Sequence, residues 1–473
     1  MIKSSFTIHS PYDLHNSILN NELIFIVTHH IRNIQTINFG KLLLGVIYMQ
    51  SKEHYWGKLI KFHRLDQQLK QDDLAVGICT SSYLSRIENG VVIAEQQIYE
   101  QLLARLGLDL KEQEAKEYEH IQFLEDIYER LLSNEEVAEL EIEKIISFQH
   151  NNSFLSEAVI LSKLVYSRYL LSIHLDLEAR QLLSATEPFI TWQFDRVTQM
   201  YVAITAFAHL SFWEFKELAI REEQQHLGQY LGSASSFEQA NYEYHLAFAN
   251  HRNSNFSQAL AHIEKASSLF THQYKPLFQL KLFSMKGVIY NDLHCYKEAI
   301  MEFEAGIDLL THVVKIQSPL QWSSIYNNLA YCYECQGNLK QAMIHYEQAN
   351  SHMEDPNSLI NWMRTSYQFG DVILLNQLLV KYPEQYFPLQ HQKYQRQLLE
   401  YVNNNEELKF DLLKQLEERI FPYFEEREYY SLTLYYAPLW GSLYEQLHSY
   451  KHASNCYKTA FNASELVRQR MNS

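Results

Sequence analysis

From Tyr55 onward, apolar side chains return every three or four positions. Leu59, Phe62 and Leu65 do so between Lys58, Lys61 and Arg64, which predicts a first helix. A short second helix starting near Gln71 carries Leu74 and Ala75 inward. Gly77-Ile78-Cys79 then turns the chain, and Thr80 or Ser81 can cap a third helix. In that helix Thr80, Leu84 and Ile87 share one face, which directs Ser81, Ser82, Ser85, Arg86 and Asn89 outward. Gly90 is placed to end it, and Ile98, Leu102, Leu103 and Leu106 repeat as a further amphipathic helix. The pattern predicts a helical bundle over 55–110. A charged, helix-favouring stretch over 111–141 follows, with Tyr118, Ile121, Leu124 and Ile127 on one stripe. It reads as a connector helix, with too few heptads for a coiled coil.

From about 142 to the end the pattern repeats itself. Tyr326, Leu329, Ala330, Tyr333, Gly337, Ala342, Tyr346 and Ala349 fit the spacing of a tetratricopeptide repeat (TPR). Gly287, Tyr290, Ala299 and Phe303 repeat it, as do Leu246, Ala247, Ala259 and Ala266. Trp440, Gly441, Tyr444, Ala453, Tyr457 and Ala460 form another copy at the end of the chain. Weaker helical pairs fill 142–235 and 357–425. The expected fold is all-α: an N-terminal helix-turn-helix bundle followed by a right-handed TPR α-solenoid over 142–473, the expected dimerisation domain, with a concave inner face.

Composition narrows what this fold can do. A chain of 473 residues exceeds one ordinary core. With 40 Lys+Arg against 56 Asp+Glu, the net charge of −16 argues against nonspecific coating of nucleic acid, so any DNA contact must be local. Five Cys without framework spacing fit reduced cytoplasmic thiols.

Residues 1–48 are apolar in patches but are broken by Glu22, His29, His30, Arg32 and Lys41. They hold no uninterrupted apolar run long enough to span a bilayer and no small-residue cleavage site after a basic start. Three readings stay open: an amphipathic arm, a membrane-surface helix, or a stretch upstream of the true start at Met49. The third has its own argument. Leu44-Gly45-Val46 can be encoded by purine-rich sequence a few nucleotides before the Met49 codon, where a bacterial ribosome would bind.

The outward face of the third helix suits a DNA groove. Ser81, Ser82, Tyr83 and Ser85 can touch base edges or phosphates, and Arg86 can pair with guanine or with the backbone. Gln71, at a helix start, offers a side-chain amide and backbone N–H groups to a phosphate. The alternative is a small bundle for protein contact with these groups solvated. Residues 55–110 carry six Lys+Arg (Lys58, Lys61, Arg64, Lys70, Arg86, Arg105) against seven acids (Asp66, Asp72, Asp73, Glu88, Glu95, Glu100, Asp109). One copy should bind weakly, and a homodimer on operator DNA with two half-sites is implied.

In the array, the aromatic and Ala positions are core. The inner face comes from other positions on the first helix of each pair: Asn241, Tyr244, Phe248 and Arg252; then Lys281, Ser284 and Asn291; then Asn327, Tyr331 and Glu334. Asn amides can pair with both N–H and C=O of an extended backbone, and Arg252 or Lys281 can take a peptide carboxylate. The peptide-binding candidates are Asn241, Tyr244, Arg252, Lys281, Asn291, Asn327 and Tyr331. Each alone also fits an ordinary solvated residue.

Gln71, Leu74-Ala75 and Leu84-Ser85-Arg86-Ile87-Glu88-Asn89-Gly90 resemble the Xre/Cro/repressor-type helix-turn-helix. The turn is one residue shorter than usual, which is similar to the PlcR and NprR type. Arg64 and Glu88 match positions that form an internal ion pair in such domains. With the TPR array behind it, Tyr55 to Ser473 resembles the Rgg/PlcR/NprR (RRNPP) family of cytoplasmic quorum-sensing regulators. The resemblance implies a short signalling peptide in the groove that changes how two DNA-binding heads are held. A different class stays open, an array that chiefly holds a signalling protein partner. Enzymatic readings find little support: Cys332-x-x-Cys335 is a lone pair inside a repeat helix, and no P-loop, GxGxxG, HExxH or nucleophile elbow occurs. No cofactor, metal or membrane partner is expected.

Overall fold

The computed structural model of the chain describes residues 52–150, 157–190, 192, 195–213, 228–271, 273–314, 318–403 and 409–471. The extension expected over 1–48, with its alternative start at Met49, lies outside them. Among the described residues the secondary structure is helical, without a strand, and two compact units are present.

The first unit, 52–213 with 228–239, opens with α1 (Lys52–Asp66), α2 (Gln71–Ala75), α3 (Ser81–Glu88) and α4 (Gln96–Arg105). Trp56, Leu59, Ile60, Leu74, Leu84, Ile87, Tyr99, Leu102, Leu103 and Leu106 form their shared core, each large side chain contributing about 1.5–3 kcal/mol by leaving water. The apolar stripe of α1 differs from the one expected. Trp56, Leu59 and Ile60 face inward with Arg64, while Leu65 is exposed. The inward place one turn beyond Ile60 goes to Arg64 because a buried carboxylate waits for it there.

Behind the bundle come α5 (Leu110–Leu132), α6 (Glu139–His150), α7 (Glu157–Ser172), α8 (Asp176–Thr186) and α9 (Arg196–Ala208). Asp109 caps α5 by accepting the Glu112 N–H at 2.9 Å. The stretch expected as a connector over 111–141 is a packed member of this unit: Leu124, Ile127, Tyr128, Leu131 and Leu132 are buried, and α5 lies along α7. Tyr118, expected on the same stripe, is exposed.

The second unit begins at Ala240, within α10 (Ser236–Arg252). It continues with α11 (Phe256–Phe270), α12 (Pro276–Asp292), α13 (Tyr296–His312), α14 (Pro319–Gln336), α15 (Leu339–His352), α16 (Pro356–Phe369), α17 (Val372–Lys381), α18 (Gln390–Asn403), α19 (Phe410–Glu426), α20 (Tyr430–Gln446) and α21 (Tyr450–Met471). The helices pack as consecutive hairpins, the TPR-like arrangement, and small residues set how closely they approach. A Cβ on Gly287 would lie 2.5 Å from the Phe303 ring, and one on Gly441 would lie 2.7 Å from Tyr457. Ala330 makes the same approach to Ala342 and Tyr346.

One turn joins the two helices of each pair. Ser254, His294, Gly337, Gly370 and His448 all have positive φ, each two residues before the next helix. The following N–H reaches back five residues: Cys295 to the Tyr290 carbonyl, Asn338 to Tyr333 and Ser449 to Tyr444, each at 2.8 Å. This is the Schellman closure, which satisfies carbonyls that the helix end leaves bare.

Candidate functional site

Two places match the chemistry expected from the sequence, one in each unit. In the first, α3 is held from behind. Arg64 donates from Nε to Glu88 Oε1 at 2.6 Å and from Nη2 to Oε2 at 2.9 Å, both side chains buried. The third Arg64 contact runs from Nη1 to the Leu69 carbonyl at 2.8 Å. The Glu88 carboxylate holds the Arg64 pKa above its usual value against the opposing effect of burial. Arg105 donates to the Leu74 carbonyl at 2.9 Å and to that of Val76, pinning the turn between α2 and α3.

Thr80 is the cap of α3, its hydroxyl accepting the Tyr83 N–H at 3.2 Å. It is exposed, which corrects its expected place on the inward face: as the residue before the helix, it spends its side chain on a bare N–H. Leu84 and Ile87 are buried as expected. Ser82 and Arg86 stand exposed, and Ser81, Tyr83 and Ser85 are half-buried. Tyr83 also leans on the bundle core. Gln71 is half-buried, and its amide donates to Glu88 Oε2 at 2.7 Å, so this side chain belongs to the ion-pair cluster.

In the second unit, the first helices of consecutive pairs meet along a polar seam. His251 on α10 lies 2.6 Å from Asp292 on α12. Next to it, the Asn291 amide nitrogen is 3.5 Å from Asp292 Oδ1 and 3.8 Å from the Cys335 thiol on α14. Glu334 on α14 takes Arg364 of α16 through two hydrogen bonds, from Nε at 2.9 Å and from Nη2 at 2.8 Å. It also accepts the Tyr346 hydroxyl at 2.8 Å. Arg364 Nη1 donates to Asn361 Oδ1 at 2.9 Å, and Asn361 Nδ2 donates to Asn327 Oδ1 at 3.3 Å.

Burial alone would lower the Arg364 pKa, but the Glu334 carboxylate outweighs it and holds the guanidinium well above its ordinary value. Burial pushes the Tyr331 and Tyr346 hydroxyls far up, so both stay protonated, and it pushes the Cys332 thiol up to about 12. The Cys335 thiol is raised by the same cause.

The expected peptide-binding residues are therefore not solvated: Asn241, Tyr244, Lys281, Asn291 and Asn327 are each no more than 8% exposed. Asn291, Asn327 and Tyr331 lie on the seam. The Lys281 ammonium stands 5.8 Å from the Tyr244 ring, and Arg252 lies 5.6 Å from the ring of Phe248. Asn241 is buried on α10. Asp292, Asn361 and Arg364 were not anticipated. Their trace in the sequence is Asn361 and Arg364, spaced i, i+3 inside the otherwise apolar run Leu359 to Met363, where polar groups need buried partners.

Among the described residues, no helix is long and apolar enough to cross a membrane, and no group of three or more His, Cys, Asp or Glu gathers as metal ligands.

No protein-family model matches the chain, and comparison with curated proteins finds no match in sequence. Solved structures do match in fold. One is a Rap protein complexed with Competence and Sporulation Factor, at 12% identity and TM-score 0.60 over 75% of this chain and 99% of that one. Another is the apo form of the quorum sensor NprR from B. thuringiensis, at 14% identity and TM-score 0.58 over 74% and 99%. A third is NprR in complex with its cognate peptide NprX, at 14% identity and TM-score 0.51 over 73% and 99%. At such identities the likeness is one of fold, the TPR-like helical array.

Proposed function

We propose that this chain is a cytoplasmic transcription regulator whose TPR-like array binds a short signalling peptide and whose N-terminal bundle binds operator DNA as a homodimer. The observation that carries the peptide half is the buried Asn291 amide oxygen, which has no hydrogen-bond partner among the described residues and sits on a seam with Asn327 and Tyr331. A buried acceptor left unpaired costs about 1–3 kcal/mol, and an extended peptide backbone is a ligand that supplies its missing N–H. The shared fold with a quorum sensor seen in complex with its cognate peptide supports the same reading.

For DNA, the support is an α3 whose exposed Ser82 and Arg86 are oriented by a buried ion pair. Ser81, Tyr83, Ser85 and the N-terminal backbone at Gln71 complete the proposed contact surface. Two half-sites compensate for the absence of excess positive charge in one head. Peptide then acts by changing how the two heads are held, and operator DNA must alter peptide affinity by the same factor.

Genome-wide recovery of DNA bound in cells tests this, with wild type beside the double variant Ser82→Ala, Arg86→Ala. A shared sequence of two half-sites that vanishes in the variant is expected. No enrichment in wild type, with or without extract from dense cultures, overturns the DNA half and leaves an array that holds a protein partner.

A further inference from the structure

Asparagine is ambivalent, because one end of its amide donates and the other accepts. What it offers a ligand depends on which end is already occupied. On this seam the occupation is fixed from behind. Arg364 has two of its donor nitrogens on Glu334, and the third, Nη1, meets Asn361. Arginine has no acceptor, so residue 361 must turn its oxygen toward Arg364 and its nitrogen away. That nitrogen meets Asn327, which must turn its oxygen toward it. Asn327 Nδ2 is left as the end that makes no hydrogen bond with protein.

Asn291 is fixed in the opposite sense. Its neighbour Asp292 is a carboxylate, which repels an amide oxygen and attracts the nitrogen. Asn291 Oδ1 is the end left over, buried and without a partner. Successive first helices, α12 and α14, thus present one acceptor and one donor. A peptide unit carries one N–H and one C=O, the complementary pair.

We propose that Asn361 is a positioning residue that sets the polarity of this donor and acceptor pair, so that the seam accepts a peptide backbone running in one direction only. The proposal rests on the peptide reading above. Asn361 is 3% exposed with both amide ends engaged, so it acts through Asn327 and not by touching ligand.

The variant Asn361→Asp reverses the setting. An aspartate still accepts from Arg364, but it cannot donate to Asn327, which must turn and offer its oxygen to the groove. In full-length protein labelled with 15N-asparagine, the Asn327 side-chain resonances are assigned by their loss in Asn327→Ala. In Asn361→Asp they are expected to move downfield and exchange more slowly with water, because the NH2 now donates to a carboxylate. Unmoved resonances overturn the proposal.

A library of linear peptides with free termini is then panned on wild type. Its enriched members are expected to bind Asn361→Asp about tenfold or more weakly, and Asn361→Ala, which leaves Asn327 free to turn, by an intermediate factor. Equal affinity for wild type and Asn361→Asp overturns the role of Asn361. No enrichment on wild type overturns the peptide reading itself, and the ligand role with it. Asn361→Ala also stands in if the buried aspartate prevents folding.

Discussion

Arg64 and Glu88, 24 residues apart in the chain, meet through two hydrogen bonds of 2.6 and 2.9 Å with almost no solvent between them. The pair joins α1 to the end of α3, and the Gln71 amide on the same carboxylate adds α2. It fixes the pitch of the helix that presents Ser82 and Arg86. Removing one partner leaves a buried charge uncompensated, so Arg64→Met should destabilise the bundle by about 3–5 kcal/mol. The double variant Arg64→Met, Glu88→Leu should recover most of that loss, because two apolar side chains need no pairing. Thermal melts of the two variants check this, and equal losses would refute a pairwise role.

Gly287 is where α12 comes closest to α13. Alanine there gains about 1 kcal/mol of helix propensity, yet its Cβ would stand 2.5 Å from the Phe303 ring. Overpacking of this kind costs about 1–3 kcal/mol, so Gly287→Ala should lower stability in a denaturant titration. Adding Phe303→Leu should restore part of it by removing the ring.

Acid should weaken the α10–α11 pair. Glu243 is buried, and burial pushes its carboxyl upward, but His262 at 2.7 Å and Lys265 at 2.6 Å outweigh that and hold it below the usual range. A depressed carboxyl contributes stability above its unfolded value near 4.5 and loses that contribution as pH falls through the lower folded value. Stability measured from pH 6 down to 3 should therefore decline, and Glu243→Gln should flatten the lower part of that curve.

Thiol labelling reads the seam from its other side. Cys332 is buried and pushed up to about 12 by that burial, so it holds almost no thiolate at pH 8. A disulfide reagent applied to folded protein at pH 8 should leave it unmodified until denaturant is added. Rapid labelling of Cys332 in the native state would show that α14 opens locally.

Much of this was readable from spacing alone. Gly287, Ala299 and Phe303, or Ala330, Ala342 and Tyr346, announce their hairpins because close helix approach restricts those positions to small residues and matching rings. Leu84 and Ile87 announce the inward face of α3 for the same reason. Arg364 was illegible because α16 lacks the small residue that marks the other first helices, and its partner Glu334 lies 30 residues away. Periodicity reports which side of a helix is covered. It does not report which polar groups pair beneath that cover, so the burial of Asn291 and Asn327 emerged only once neighbouring helices were in place.

The turns between paired helices carry a consequence of a different kind. Gly337 and Gly370 adopt positive φ freely, but Ser254, His294 and His448 hold side chains in that region, at a cost of about 1–3 kcal/mol each. In an array whose stability is a sum of local and nearest-neighbour contributions, such differences do not average out. Hairpins closed by serine or histidine open to hydrogen exchange sooner than the one closed at Gly337. The α14–α15 hairpin is then the rigid anvil of the second unit, flanked on the α12–α13 side by a softer neighbour, and a ligand bridging the two stiffens the soft side most.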